Sequence, residues 1–224
     1  MTTPAEILSP THSWVDTIVD RRKQLASVLA LLVLLGTTYS VYSAWRDHQN
    51  LKAASVIFDA MQKLERQPLP QSGKADAGWM EKSADGLKGL ENAAMQHKGT
   101  VPAFEALMKL GDLHYEVGDA AKAAPYFERA VEGAPSKFFK AMALYSHGMA
   151  LESLKDHKKA SERFNGALSI GEPGLKAELL MALGRNSFAV GDGAKAKDYY
   201  SRAEADFPNS AVSQLAQRLK AEIK

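Results

Sequence analysis

The chain has no cysteine. Disulfides, thiolate metal sites and cysteine nucleophiles are excluded together, and so is the lipid-bearing cysteine of a bacterial lipoprotein. An oxidising compartment is compatible with this composition but not required by it. An excess of either charge is also missing. The 28 basic side chains nearly balance the 26 acidic ones, and nucleic-acid binders draw their affinity from a dense basic face that this balance does not supply. Catalytic patterns are absent as well. There is no Gly-x-Ser-x-Gly elbow, no phosphate-cradling glycine loop and no dinucleotide fingerprint, and Gly191-Asp192-Gly193 reads as a turn between helices. The histidines (His12, His48, His97, His114, His147 and His157) are scattered, with no His-Glu-x-x-His pairing. Acid pairs such as Glu128 and Glu132 read as solvated helix faces. The expectation is a protein without enzymatic activity, cofactor or metal.

What the chain does have begins with a long apolar run. Arg21, Arg22 and Lys23 precede a segment from Leu25 to Trp45 that contains no charge. As a helix that segment is roughly 31 Å long, the thickness of the hydrocarbon core of a bilayer. A core helix of a soluble domain rarely runs so far without a charge, because one face meets water. A cleaved export signal is disfavoured by the acidic Asp16 and Asp20 ahead of the basic triplet, and by the lack of an Ala-x-Ala-like site, to which Thr38 and Ser40 come nearest. The expectation is a retained transmembrane helix, Leu25 to Trp45. The basic triplet on its N-terminal side keeps the N-terminus cytoplasmic, since Arg46 at the other end is balanced by Asp47. Tyr39, Tyr42 and Trp45 then lie at the far headgroup layer. Residues 1–24 form a short cytoplasmic arm, in which Trp14, Val15 and Ile18 could start an amphipathic turn.

From Ala103 onward the sequence repeats itself. Gly111, Gly148 and Gly184 recur at intervals of 37 and 36 residues. The same intervals separate Phe127, Phe164 and Tyr200, and Ala123, Ala160 and Ala196 precede them by four residues. Ala130, Ala167 and Ala203, then Pro135, Pro173 and Pro208, complete the pattern. Each unit reads as two helices joined at Gly118-Asp119, Lys155-Asp156 or Gly191-Asp192, where the Asp can cap the second helix. The glycine and alanine let the helices approach and the aromatic fills the space between them. Pro125 inside a second helix removes one backbone hydrogen bond. These residues resemble the tetratricopeptide repeat pattern of Leu-Gly, Ala-x-x-x-Phe and Pro. Two departures stand out. The period exceeds the usual 34, with the extra residues between units; and the family's first-helix Trp and Tyr are replaced by Leu107, Leu144 and Leu180 and by His114, Leu151 and Ser187.

Upstream, Leu51, Ala54, Phe58, Met61 and Leu64 keep helical spacing, as do Ala77, Met80, Ala84, Leu87 and Ala94. A loop with Pro68, Pro70 and Gly73 separates them. The first of these helices has no Pro or Gly between Thr37 and Arg66 and is expected to continue out of the span. After Pro208, Asn209 or Ser210 can cap a last helix that shows Val212, Leu215, Ala216 and Leu219 on one face. The expected fold is all-α, a single N-terminal transmembrane helix followed by a tetratricopeptide α-solenoid. Its parts are the arm 1–24, the span 25–45, a divergent helix pair 46–100, three repeat units 101–208 and a capping helix 209–224.

By the same resemblance, ligands meet the concave face of the first helices. That face would be lined by Met108, Asp112 and Tyr115 with Glu105; by Met142, Tyr145 and Met149 with Glu152; and by Met181, Arg185 and Phe188 with Glu178. Methionine suits surfaces that accept varied apolar segments, though half of these side chains could simply pack between units. Clamps for acidic chaperone tails use Lys and Asn here, so Met108, Asp112 and Glu178 argue against that mode. The cytoplasmic arm, the span, the AASVIFDAMQKL helix from Ala53 to Leu64 and the repeats together resemble the ancillary SecYEG translocon subunit family, also called YfgM-like. That resemblance implies an inner-membrane, single-pass protein with a periplasmic repeat domain. Its implied partners are the SecYEG translocon, a membrane-bound periplasmic chaperone and exported polypeptides, with no nucleic acid and no small-molecule substrate. An envelope-assembly or cell-division scaffold and a cytochrome-maturation subunit share the architecture and stay open.

Overall fold

A computed structural model describes residues 21–70, 72 and 74–223. The expected arm, with Trp14, Val15 and Ile18, and Gly73 of the loop lie outside the described residues. Helices account for most of the rest, and no strand occurs among the described residues. The chain divides into two units, Met1–His48 and Gln49–Lys224.

The first helix, α1, spans Arg22–Glu65. None of its apolar window is buried, and the helix is long and apolar enough to cross a membrane. Its apolar side chains, Leu29, Leu32 and Leu34 among them, are about 60% exposed, which rules out packing in a soluble core. The hydroxyls in this segment turn back on the helix. Thr37 and Thr38 both donate to the Leu34 carbonyl, at 3.0 and 2.7 Å, and Ser27 donates to that of Lys23 at 2.9 Å. Such bonds keep a hydroxyl satisfied where no water can.

In the second unit, the C-terminal part of α1 is followed by α2 (Ala77–Lys82) and α3 (Ala84–Gln96). The expected second helix of the divergent pair is thus two pieces, broken at Ser83. The buried stripe of α1 also differs from the expected one. Leu64 is buried as expected and Met61 packs partly buried on the core, but Ala53 and Ile57 are buried where Leu51 is 71% and Phe58 65% exposed. Both stripes satisfy a 3.6-residue period, and the neighbouring helices decide between them. Leu64 lies against Gly86 of α3, where an added Cβ would meet the Leu64 Cα at 3.3 Å. The Asn50 side chain accepts a bond from the Val101 amide at 3.1 Å.

Three helix pairs follow: α4 (Val101–Glu116) with α5 (Ala120–Glu132), α6 (Lys137–Ser153) with α7 (His157–Ile170), and α8 (Lys176–Ala189) with α9 (Gly193–Asp206). A last helix, α10 (Ala211–Glu222), covers α9. Most starts are set by side-chain caps, α8 being an exception that follows directly on a short 3-10 turn, Pro173–Leu175. Asp119, Asp156 and Asp192 each accept from the amide three residues on, at 3.1, 3.2 and 3.0 Å. Thr100, Ser136 and Ser210 do the same for α4, α6 and α10. Of the two residues expected to cap α10, Ser210 does so and Asn209 takes a left-handed φ of 58°. Within each pair a glycine faces an aromatic ring. A Cβ on Gly111 would meet Phe127 at 2.5 Å and one on Gly148 would meet Phe164 at 2.5 Å; Gly184 stands in the same way against Tyr200. The three aromatics and Ala123, Ala160 and Ala196 are buried, so the repeating residues form the seam of each pair.

Candidate functional site

The first helices α4, α6 and α8 bring most of the expected lining residues to one surface. Tyr115 on α4 hydrogen-bonds Ser153 at the end of α6, oxygen to oxygen at 3.0 Å. One unit further on, Arg185 on α8 donates from Nε and Nη2 to the two carboxylate oxygens of Glu152 on α6, both at 3.1 Å. That bidentate pair fixes the spacing of neighbouring units. Burial holds the Arg185 guanidinium down, but the Glu152 hydrogen bonds and charge outweigh it and keep its pKa above the usual value. Tyr145 stands between these pairs with its ring 5.9 Å from that of Phe164. Burial pushes its hydroxyl up, and the nearby Glu178 carboxylate adds to the shift. Asp112 is likewise raised, by burial first and then by Glu116, with Lys109 opposing.

The sulfur side chains divide. Met108, Met142 and Met149 are half-buried and pack against the cores between units. Met181 is a correction: at 6% exposure it belongs to the core and does not line the face. Helix α8 is enclosed over an entire turn, with Leu179, Leu180, Ala182 and Leu183 at 0%, so periodicity could not reveal which of its residues look outward. Phe188 is 53% exposed. It borders a hollow of 610 Å³ shared with Lys197, Glu222 and Ile223. The loop after α1 stays near α4: Gln67 accepts from the Trp79 indole at 3.2 Å, and Leu69, Trp79, Lys109 and Leu113 line a cavity of 320 Å³ there.

A second cluster escaped the sequence reading. Glu91 on α3 accepts from the Tyr126 hydroxyl at 3.1 Å and forms an ion pair with Arg129, both on α5. The Tyr126 ring stacks on His114, centroids 5.5 Å apart and planes 8° from parallel. Burial and the Glu91 carboxylate push the Tyr126 hydroxyl up to about 12, and burial lowers the His114 imidazole. These groups edge a cleft of 690 Å³ between α3 and the α4–α5 pair. The signal available was that His114 stands where the repeat pattern has Tyr, and a flat ring there stacks on the next helix. No group of three metal-binding side chains lies together among the described residues.

A family model described as tetratricopeptide repeat matches residues 104–137. No curated protein matches the chain. Among solved structures, a putative kinesin light chain of Podosopora anserina with nearly identical TPR-like repeats has a TM-score of 0.54 at 12% identity, over 77% of this chain and 85% of that one. MamA has a TM-score of 0.46 at 20% identity, over 66% and 89%. PilF of Pseudomonas aeruginosa has 0.45 at 16%, over 80% and 78%. At these identities the likeness speaks to fold alone, and only the first superposes closely enough to do so. Together with the glycine–aromatic seams, these findings show an all-helical fold with tetratricopeptide-type repeats among the described residues, and one long apolar helix toward the N-terminal end.

Proposed function

We propose that this protein is a non-enzymatic adaptor, anchored through α1 in the inner membrane with its N-terminus cytoplasmic and its repeats in the periplasm. The repeats receive polypeptide segments on the face of α4, α6 and α8. The observation that carries this reading is the surface itself. Tyr115, Tyr145 and Phe188 stand on three successive first helices, and cross-unit hydrogen bonds hold two of those helix pairs in register. Such a surface is rigid before it meets a partner, which lowers the ordering cost of binding. The exposed apolar stretch of α1 supports the anchor, because a bilayer is the solvent in which its leucines cost nothing. The resemblance to the ancillary SecYEG translocon subunits supplies the partners: the translocon, a membrane-bound chaperone and exported chains.

The test is photocrosslinking in native membranes with a photoreactive residue at Met142 or Tyr145, and a control at Glu162 on a second helix. Crosslinks from the first two positions to translocon components or exported chains, and none from the control, are expected. Adducts only to division, outer-membrane assembly or cytochrome-maturation proteins would replace the translocon reading with one of those. A mature protein that starts after Ser40 or Ala44 by mass spectrometry would remove the anchor.

A further inference from the structure

The face of α4, α6 and α8 carries more than apolar side chains, and its charges are unbalanced. On α4, Glu105 and Asp112 lie seven residues apart and share one side of the helix. Asp112 has Glu116 beside it, and Lys109 is the cation that opposes them. On the side of the next two first helices that holds the lining positions, the carboxylates are Glu152 and Glu178, and the cation is Arg185, already committed to Glu152 by two hydrogen bonds. By the helical period Lys137 and Lys140 of α6 and Lys176 of α8 fall away from that side, and Lys176 pairs with Asp206. Glu178 and Glu152 both bear on the Tyr145 hydroxyl, so these carboxylates and the ring share one neighbourhood. The surface therefore places half-buried Met108, Met142, Met149 and Tyr145 among carboxylates that outnumber their cations.

We infer that this face takes a polypeptide segment in which lysine or arginine alternates with apolar residues. The inference rests on the adaptor reading above and narrows the partner's chemistry. Apolar side chains of the segment cover the methionines and tyrosines, while its cations meet Glu105, Asp112 and Glu178. An anionic segment would add like charge to a carboxyl that burial and Glu116 already keep reluctant to ionise. Arg185 has a second part in this arrangement. By holding Glu152 it withdraws one carboxylate from the partner, so it sets how strongly the face prefers cations.

The experiment uses the full chain in mild detergent and three fluorescein-labelled peptides on one Leu/Phe scaffold, bearing Lys, Gln or Glu at the alternate positions, read by fluorescence anisotropy. The expected order of affinity is Lys above Gln above Glu, with Lys and Glu separated by about tenfold or more at low salt. The separation should collapse when ionic strength rises to about 1 M, where the Debye length is about 3 Å. Asp112→Asn combined with Glu178→Gln should weaken the Lys peptide roughly fivefold and leave the Gln peptide unchanged. Arg185→Gln, which frees Glu152, should do the opposite and tighten the Lys peptide. Equal affinities for the Lys and Gln or Glu peptides would overturn the charge inference and leave the adaptor reading standing. The same holds for an unchanged Lys affinity in the double variant with its far-UV circular dichroism intact. Failure of all three peptides to bind would overturn both.

Discussion

The second repeat unit departs from the first and third at several positions where those two agree, and two of these bear on the core and the turn. One residue before the seam glycine, the first and third units carry Leu110 and Leu183, both fully buried, whereas the second carries His147 at 4% exposure. At the turn between helices the first and third have Gly118 and Gly191 at φ 82°, whereas the second has Lys155 at φ 63°. Backbone geometry is preserved in spite of this. Asp119, Asp156 and Asp192 each send an amide back to the carbonyl five residues earlier, at 2.8, 3.0 and 2.9 Å, closing the helix end in the same way. The comparison separates two kinds of repeat position. The seam and the cap are kept in all three units and define the fold. The two variant positions hold suboptimal residues in the middle unit, whose α6 contributes Met142, Tyr145, Met149 and Glu152 to the candidate binding face.

The largest break in this pattern comes from the seam. In Gly148→Ala the new Cβ would sit 2.5 Å from the Phe164 ring, which is itself fully buried and has nowhere to go. Urea unfolding followed by far-UV circular dichroism should show a loss of about 3 kcal/mol. The same substitution at Gly89 in α3, where nothing lies within 4 Å of the added atom, should instead stabilise by about 0.5–1 kcal/mol through helix propensity. Two helical glycines with effects of opposite sign would show that the repeat glycines are there for close approach, not for flexibility. Equal effects would remove that account.

These seams were legible in the sequence because a close approach needs a residue without a side chain, and that requirement recurs wherever the aromatic does. The capping aspartates were legible for the same reason: one atom must reach one amide. What could not be read was any choice made by a neighbour. Along α1 the helical period admits both the expected Leu51–Ala54–Phe58 face and the buried Ala53–Ile57 face, with Leu64 buried as expected, and the neighbouring helices decide between them. Met181 fits the lining pattern as well as Met108 or Met149, but α8 packs against α7 on one side and α9 on the other and has little surface left. The Glu91–Tyr126–Arg129 cluster joins residues 35 and 38 positions apart, a pairing that no local spacing announces. Hence the fold was largely readable, whereas which residues of the candidate face stay uncovered was not, since a face is defined by what does not cover it.

His147→Leu would make the second unit agree with its neighbours at the first variant position. The His147 Nδ1 is buried and has no hydrogen-bond partner, so replacing the ring removes an unsatisfied polar atom and should stabilise by about 1–2 kcal/mol at neutral pH. The pH dependence sharpens the test. Burial holds the His147 imidazole below its usual pKa of 6.5, and Arg163 adds to that while Glu128 opposes it. The unfolded chain therefore takes up this proton at a higher pH than the folded one. Stability is complete above about 6.5 and falls as the pH drops below it, because the unfolded state then binds more protons. His114 in the first unit is lowered by burial too and contributes in the same direction. Denaturant midpoints measured between neutral pH and pH about 5 should fall less steeply for the variant than for the wild type, with the His114 share remaining. An identical slope would mean that His147 does not change protonation on unfolding.

The smallest effect belongs to the turn. Lys155 has an exposed side chain and a left-handed backbone, a conformation that costs an L-residue roughly 1–2 kcal/mol and glycine almost nothing. Glycine gives back about 0.5–1 kcal/mol of that gain through the greater freedom of its unfolded chain. Lys155→Gly should therefore stabilise by about 0.5–1 kcal/mol, and it should add to His147→Leu, because one acts on the backbone at a turn and the other within the packed core. In an array stabilised through nearest-neighbour contacts, strengthening the middle unit is felt by both sides. The double variant should accordingly unfold over a narrower urea range as well as at a higher midpoint. If the midpoint rises while the transition stays as broad, the middle unit was never the weak link, and these two departures are local matters of one turn and one buried ring.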